Sequence, residues 1–546
     1  MVPGEGLECL RFALLFNGSS LERWHLRCLD HLEESAKLAG VIVAVDGPGS
    51  RVSTTGSVLM RLYAGSVGSR ETVDVTKRLA NVRRFYGTEE QWPIEARALD
   101  FVLKLGPGLI PTWKGLVTRH GVWWFQHETE GDLPPFFREV YDGEDVTEAA
   151  LLALGGPGGD VTILEQGYFG TEKRSYVQNR DRILESIAEW PARVCPRLAR
   201  DEGDRPLRAT RTVRPDGRPN RRPQLLRFWA RLACRRLRFA WERLFRHPQW
   251  NIGVLRVQVR ELLRPGAYRD RSIEWFPLDR REMFLADPFG VERDGTIHIL
   301  CECFAYRRVK GHICTLGYSD HAFTGRPEQA IELPDHMSYP FLVEDAGQLY
   351  CIPETCYADE VALFRAIEFP QRWSKVAVLV DHFAGVDPTV FRHAGRWWLT
   401  CTEKGRDEDA KLWVWHAPDL RGPWTAHARN PVKTDARGAR PGGVPFVHEG
   451  VLYRPTQDCS KTYGWRIVIQ RVRSLTPSEF VEEPVTVLEA SPDSPFPLGR
   501  HTLTPVGEVV LIDGHRTVFV WDAFRSFLRI WARDVSTKLR RWLPTR

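Results

Sequence analysis

The sequence lacks any apolar run long enough to span a membrane, any CxxC pair and any Cys/His cluster at metal-ligand spacing. Each absence removes a class of protein. Without roughly 20 consecutive apolar residues no transmembrane helix is expected. The 11 cysteines are odd in number and scattered, which points to reduced, buried thiols rather than a disulfide framework. For the same reason no metal is expected. The start, Met1 to Cys9, has no basic segment followed by an apolar one, so no secretory signal is expected, and reduced thiols fit an expected cytoplasmic location. What is present is a globular composition: 43% hydrophobic residues and 20 Trp in 546 residues, enough for two or three domains.

The net charge of +6 is unevenly spread. Between Arg205 and Arg246 stand fourteen Arg against two acids, and between Trp521 and Arg546 seven basic residues against two acids. The remainder is therefore acidic, and the basicity sits in a connector and a tail. Nucleic-acid binding needs a positive folded platform with stacking aromatics, so an acidic folded part argues against it.

The acidic part repeats itself. Ala286-Asp287-Pro288-Phe289 runs through a Gly turn to Glu302, Ser338-Tyr339-Pro340-Phe341 to Glu354, and Val386-Asp387-Pro388-Thr389 to Glu403. Weaker copies run from Gly443 to Gln457 and from Thr504 to Asp513. Short strands with Gly turns at a period of about 50 residues are the mark of β-propeller blades. Five copies predict an all-β five-bladed propeller over residues 273–517. The residues before Pro and those closing each second strand should converge on one funnel.

The first 195 residues have a different rhythm. Strand-like runs at Leu10–Phe16, Val41–Val45, Phe101–Leu105 and Val122–Phe125 alternate with a helical spacing of Leu21, Trp24, Cys28 and Leu32, which predicts an α/β domain with a parallel sheet. Ligands of such sheets bind beyond the carboxyl ends of the strands, where His127 would lie. Asp100 to Gly106, Leu109-Ile110-Pro111, Gly121 to His127, Pro134-Pro135, Asp142-Gly143 and Thr147 resemble the amino-terminal domain of formyltetrahydrofolate-dependent formyltransferases. The resemblance implies a Rossmann-like fold, with His127 as the catalytic His and Asp160 as the later Asp. The family's Asn position holds Phe125. Phe cannot donate a hydrogen bond to a developing oxyanion, a loss on the order of 10²–10³ in rate, so 10-formyltetrahydrofolate is implied as a cofactor only if this site is active. The carboxylates of the loop after His127, from Glu128 to Asp132, stand near enough in sequence to tune it.

Residues 196–272 form the connector: an Arg-, Pro- and Gly-rich linker followed by helical spacing of Leu225, Phe228, Trp229, Leu232, Ala240, Trp241, Leu244 and Phe245 with Arg between them. Residues 518–546 repeat this as a second basic amphipathic helix through Trp521, Phe524, Leu528, Trp531, Val535, Leu539 and Trp542. Such helices either dock their apolar stripe on a domain or lie on an anionic membrane, so a membrane-peripheral protein is one of the expectations.

The Asp-Pro openings resemble those of five-bladed propeller glycosidases, which implies Asp287 as base or nucleophile, Asp387 as the residue that orients and tunes, and an acid on the fourth blade. Arg440-Pro441-Gly442-Gly443 stands there instead; Glu403, with Glu302 and Glu354, is a substitute that the repeat would bring toward the axis. A closer resemblance, carried by Ser338 to Phe341, Ile352-Pro353-Glu354, Arg454 to Cys459, Tyr463-Gly464 and Arg500-His501-Thr502, is to the amino-terminal propeller of plant glucosamine inositolphosphorylceramide transferases. It implies a carbohydrate or glycolipid as partner. The candidate catalytic residues are Asp287, Asp387, Glu403, His127 and Asp160. The candidate substrate contacts are Glu302, Tyr339, Glu354, Arg440, Arg454, Gln457 and His501. Aromatic rings including Tyr463 are available to stack on sugar faces. Three functions stay open: carbohydrate or glycolipid processing, formyl transfer to an amino sugar or similar amine with the propeller as recognition module, and non-catalytic glycan binding.

Overall fold

A computed structural model describes residues 10–16, 19–44, 72–87, 99–106, 118–128, 133–155, 160–199, 225–268, 272–278 and 283–520, together with 525 and 528. The Arg-rich linker and most of the carboxyl-terminal segment predicted as a helix lie outside the described residues. The chain forms two compact units, residues 1–235 and 236–546.

The first unit is built on a seven-stranded mixed sheet. Strands Arg84–Gly87, Ala36–Ala44, Leu10–Leu15, Phe101–Lys104 and Val122–Phe125 run parallel in that spatial order. Val146–Gly155 and Asp160–Gly170 extend it antiparallel. The runs at 10–15, 101–104 and 122–125 are almost wholly buried, as continuous apolar stretches in parallel sheets are. The helix Arg23–Glu33 buries Trp24, His25, Cys28, Leu29 and Leu32; of the predicted stripe, Leu21 falls instead in the short strand Ser20–Glu22, where it is also buried.

The helix Leu225–Phe245 follows the linker. Phe228 and Leu232 are buried with Phe137, Val140 and Tyr176, while Arg231 donates to the Tyr141 carbonyl at 3.0 Å and Arg235 to that of Val140 at 2.7 Å. Leu226, Trp229, Leu237, Trp241 and Leu244 are exposed.

The second unit contains five sheets of at least four antiparallel strands, each one blade of a five-bladed propeller. The first four blades are continuous in sequence: 283–331, 338–381, 385–426 and 446–489. The fifth is assembled from both ends of the region, in the order Leu503–Val506, Val509–Phe519, Arg246–Leu255 and Ile273–Trp275. Residues 246–255 pair with 510–519 along their full length. This extends the propeller beyond the predicted start at 273, since the strand 246–255 falls inside the stretch assigned to linker and helix. The physical reason is closure: strands from the two ends of the region hydrogen-bond within one blade, which ties the ring shut.

Candidate functional site

The repeat places an irregularity at the same point of three blades. Each inner strand pairs regularly with the next, then breaks register at the residue before Pro and its Pro: between Ala286 and Phe289, Ser338 and Phe341, and Val386 and Thr389. There Asp287, Tyr339 and Asp387 take left-handed backbone conformations, with φ of 53°, 46° and 51°. Non-Gly residues held there cost on the order of 1–3 kcal/mol each. A bulge re-aims the side chain it carries. The same strain at three equivalent positions therefore has one geometric product: three polar side chains delivered to one shared floor.

Hydrogen bonds knit that floor across blades. The Asp287 N–H donates to Asp513 at 3.3 Å, the Tyr339 N–H to Asp287 Oδ2 at 3.2 Å, and the Asp387 N–H to Glu354 Oε2 at 3.3 Å. Asp287 Oδ1 accepts from the Thr502 hydroxyl at 2.9 Å and lies 3.4 Å from His501 Nε2. The other His501 nitrogen contacts Asp513. Asp387 Oδ2 accepts from Arg440 Nε and from Gln457 Nε2, both at 2.6 Å. The Tyr339 hydroxyl accepts from the Gly443 N–H at 2.8 Å and shares a hydrogen bond with Thr389 at 2.9 Å. None of Asp287, Glu302, Tyr339, Glu354, Asp387, Arg440, Gln457, His501 and Asp513 is more than 6% exposed.

Crowding of acids in a dry place sets their protonation. Burial drives the Asp287 carboxyl up to about 6; the nearby Asp387 and Asp513 charges push the same way, against His501. Burial also carries Asp387 up to about 6, with Glu354 adding and Arg440 opposing. Glu302 is held well above the usual carboxylate range by burial and then by Asp287 and Glu354. Burial acts to lower the His501 imidazole, but Asp513 and Asp287 hold it raised. Burial likewise works to raise Asp513, and the His501 charge and hydrogen bond leave it lowered. The floor thus combines an ionised His501–Asp513 pair with carboxyls whose protons exchange near neutrality.

One exposed ring adjoins this buried cluster. Tyr463 is 44% exposed, stands edge-on to the His501 ring at 5.4 Å between centroids, and has the Arg440 guanidinium 4.7 Å from its centroid. Trp250 stacks on the His501 ring at 4.0 Å.

Not every expected residue joins the floor. Glu302 and Glu354 pair with Ala286 and Ser338, the residues before each bulge. In the third blade the matching residue Val386 pairs with Thr402, and Glu403 pairs one place earlier with Gly385. Side chains alternate faces along a strand, so Thr402 holds the position expected of Glu403, and Glu403 lies 3.5 Å from Arg406. Arg454 is buried against Glu482, which accepts from it at 2.7 and 3.0 Å, and its other donors go to the carbonyls of Gly438 and Ala439. It braces the fourth blade. Asp513 and Thr502 also belong to the floor, beyond the candidate residues of the sequence. The signal for Asp513 was present: it closes the second strand of the fifth copy, as Glu302 and Glu354 do in theirs.

In the first unit, His127 lies in the short helical turn Gln126–Glu128 that ends the strand Val122–Phe125. It is buried among Trp24, Phe125 and Phe136, with ring centroids 5.5, 5.8 and 4.8 Å away. Burial lowers its pKa to about 4, against a smaller opposite pull from Glu128. The Glu128 carboxylate meets His25 Nε2 at 2.7 Å and the Gly106 N–H at 2.8 Å. Phe125 is fully buried in the wall beside His127, so position 125 offers that imidazole an apolar face. Asp160 opens the strand Asp160–Gly170; its side chain, like residues 129–132, lies outside the described residues.

The fold and floor define a five-bladed propeller with a polar, carboxylate-rich funnel. Residues 278–494 match the family described as the amino-terminal part of glucosamine inositolphosphorylceramide transferase 1. Among curated proteins, the chain is 34% identical over 210 residues to the glucosamine inositolphosphorylceramide transferase 1 of Oryza sativa subsp. japonica, covering 37% of this chain and 28% of that protein. It is 33% identical over 216 residues to the protein of that name from Arabidopsis thaliana, covering 38% and 28%. The match thus spans little more than a quarter of these relatives. Among solved structures, a family 117 glycoside hydrolase of Zobellia galactanivorans aligns over 50% of this chain and 91% of its own, with 14% identity and a TM-score of 0.33. An exo-beta-1,3-galactanase of Clostridium thermocellum aligns over 41% and 59%, with 12% identity and a TM-score of 0.32. Likeness of that degree says nothing of activity.

Proposed function

We propose that the propeller funnel recognises the polar head of a carbohydrate or glycolipid. The observation that carries this is the exposed Tyr463 ring set directly against a buried floor of hydrogen-bonding groups. An apolar sugar face stacks on such a ring, and a few fixed polar groups supply orientation. The names of the matched plant proteins, which are transferases of a glycolipid class, support the same reading. Recognition is favoured over hydrolysis by the fourth blade, where Arg440 stands in the place of the acid and its Nε donates to Asp387. Glycoside cleavage needs two carboxyl groups free to flank the bond. A catalytic reading keeps one specific support: Asp287 is raised to about 6, where a carboxyl can both give and take a proton at neutral pH.

For the first unit, the spatial order of its parallel strands, third, second, first, fourth, fifth by their place along the sheet-forming chain, supports a Rossmann-like ancestry. Formyl transfer gains nothing from the apolar surroundings of His127 and is not part of the proposal.

The test is binding of the full chain to an array of soluble glycans and inositol-phosphate glycolipid headgroups, beside Tyr463→Ala and Asp287→Asn. Tyr463 also packs against Trp250, His501 and Arg440, so the folding of Tyr463→Ala is checked by its urea midpoint. We expect at least one class to bind and both variants to weaken it by about fivefold to tenfold, the loss of a stacked ring or of a hydrogen bond worth about 1–1.5 kcal/mol. Equal binding by all three proteins would refute the assignment.

A further inference from the structure

The first blade holds a second cluster that the funnel does not use. Cys303 lies on the strand Thr296–Ala305, and His312 and Cys314 lie on the next strand, Lys310–Ser319. Cys303 pairs directly with His312 across the sheet, and Cys314 is two residues further on, so all three side chains share one face. Their donor atoms lie within 4.8 Å of one another, and Cys314 Sγ is 3.3 Å from His312 Nε2. Cys303 and Cys314 are buried and His312 is half-buried.

We propose that Cys303, His312 and Cys314 form a binding site for a zinc-class divalent ion, with a fourth position left for water. Two thiolates and an imidazole are the soft and borderline donors that zinc prefers, and three protein ligands with one open position are a recurrent zinc arrangement. A tetrahedral ion with metal–donor distances of about 2.0–2.3 Å draws its ligands to mutual separations of under about 4 Å, which the cluster already approaches.

The cluster has no local sequence signature, because its ligands are not close in sequence. Eight residues separate Cys303 from His312, and only the turn that folds one strand onto the next brings them together. Glu302 precedes Cys303 directly and belongs to the buried acids of the funnel. An ion tying the two strands would therefore fix the strand end that presents Glu302, from the opposite face of the sheet.

The test uses the full chain purified without chelator. Metal content is measured by mass spectrometry, and cobalt replacement is followed through the thiolate-to-cobalt charge-transfer band and the visible bands of tetrahedral cobalt. We expect about one zinc per chain, and a cobalt spectrum abolished in Cys303→Ser and in Cys314→Ser but kept in Cys234→Ser, an exposed thiol outside this blade. Should either serine variant fail to fold, alkylation of the unmodified protein decides: Cys303 and Cys314 should be shielded with zinc and labelled after chelation. Background metal, a cobalt spectrum that survives Cys303→Ser, labelling indifferent to zinc, or a Cys303–Cys314 disulfide in the purified protein would each overturn the proposal.

Discussion

Asp387 has two charged or polar donors on one carboxylate oxygen and a left-handed backbone beneath it. Removing its carboxylate strands the buried Arg440 with only Asp409, at 3.1 Å, as an ionic partner. Asp387→Ala should cost about 3–5 kcal/mol in urea unfolding, the usual result of leaving a buried charge without its partner. Asp387→Asn should cost less, because Asn tolerates the left-handed region and can still accept both hydrogen bonds. Tyr339→Phe keeps the ring and deletes the acceptor for the Gly443 N–H, so a loss of about 1–3 kcal/mol is expected by the same measurement. The raised acids also set a pH dependence. Asp287 is raised in the folded state to about 6 from 3.8, so folding takes up a proton between those values. Its contribution is complete below about pH 4 and is lost as pH rises through about 6. The stability of the unmodified protein relative to Asp287→Asn should therefore fall across that window in urea titrations; a rise would contradict the protonation assigned to the floor.

At the scale of the element, the blades were legible because their period, Gly turns and Pro positions are local signals. The bulges were not. Nothing in Asp287-Pro288 announces a left-handed Asp, and pairing register decides which residue of Thr402-Glu403 faces the funnel. A shift of one residue moved Glu403 off the site, while Glu302 and Glu354 stayed on it, because the third copy is one residue longer between its Gly turn and its acid. Asp513 was visible in the fifth copy, yet its role depended on knowing that this copy closes the ring. The Arg440-Pro441-Gly442-Gly443 segment has its own physical reason. A Cβ on Gly443 would lie 1.9 Å from the Leu503 carbonyl oxygen, and its φ of +124° is one that L side chains rarely adopt. Gly443→Ala should therefore destabilise by more than about 2 kcal/mol, well above the change at an ordinary surface site, as read by a shift in urea midpoint.

For the molecule as a whole, the fifth blade shows why a domain boundary is hard to draw from sequence. The strand 246–255 follows directly on a helix whose Arg-rich spacing dominates the local pattern, and its partner lies over 250 residues away. The helix Leu225–Phe245 turns Phe228 and Leu232 inward and leaves Leu226 and Leu237 at 86% and 71% exposure. No helix among the described residues is long and apolar enough to cross a membrane. Exposed apolar residues between Arg suit an anionic lipid surface, so the full chain should cosediment with phosphatidylserine vesicles in a salt-sensitive way. A Leu226→Glu, Leu237→Glu double variant should reduce that by about tenfold or more; unchanged recovery would remove the helix from membrane contact. Sugar recognition in the funnel is tested by a crystal structure of the full chain soaked with the best-binding glycan from the array. The expected density is a sugar stacked on Tyr463 with hydroxyls directed toward the floor of Asp287, Asp387 and His501. A glycan bound elsewhere on the chain, with the funnel floor unchanged and uncovered, would contradict it.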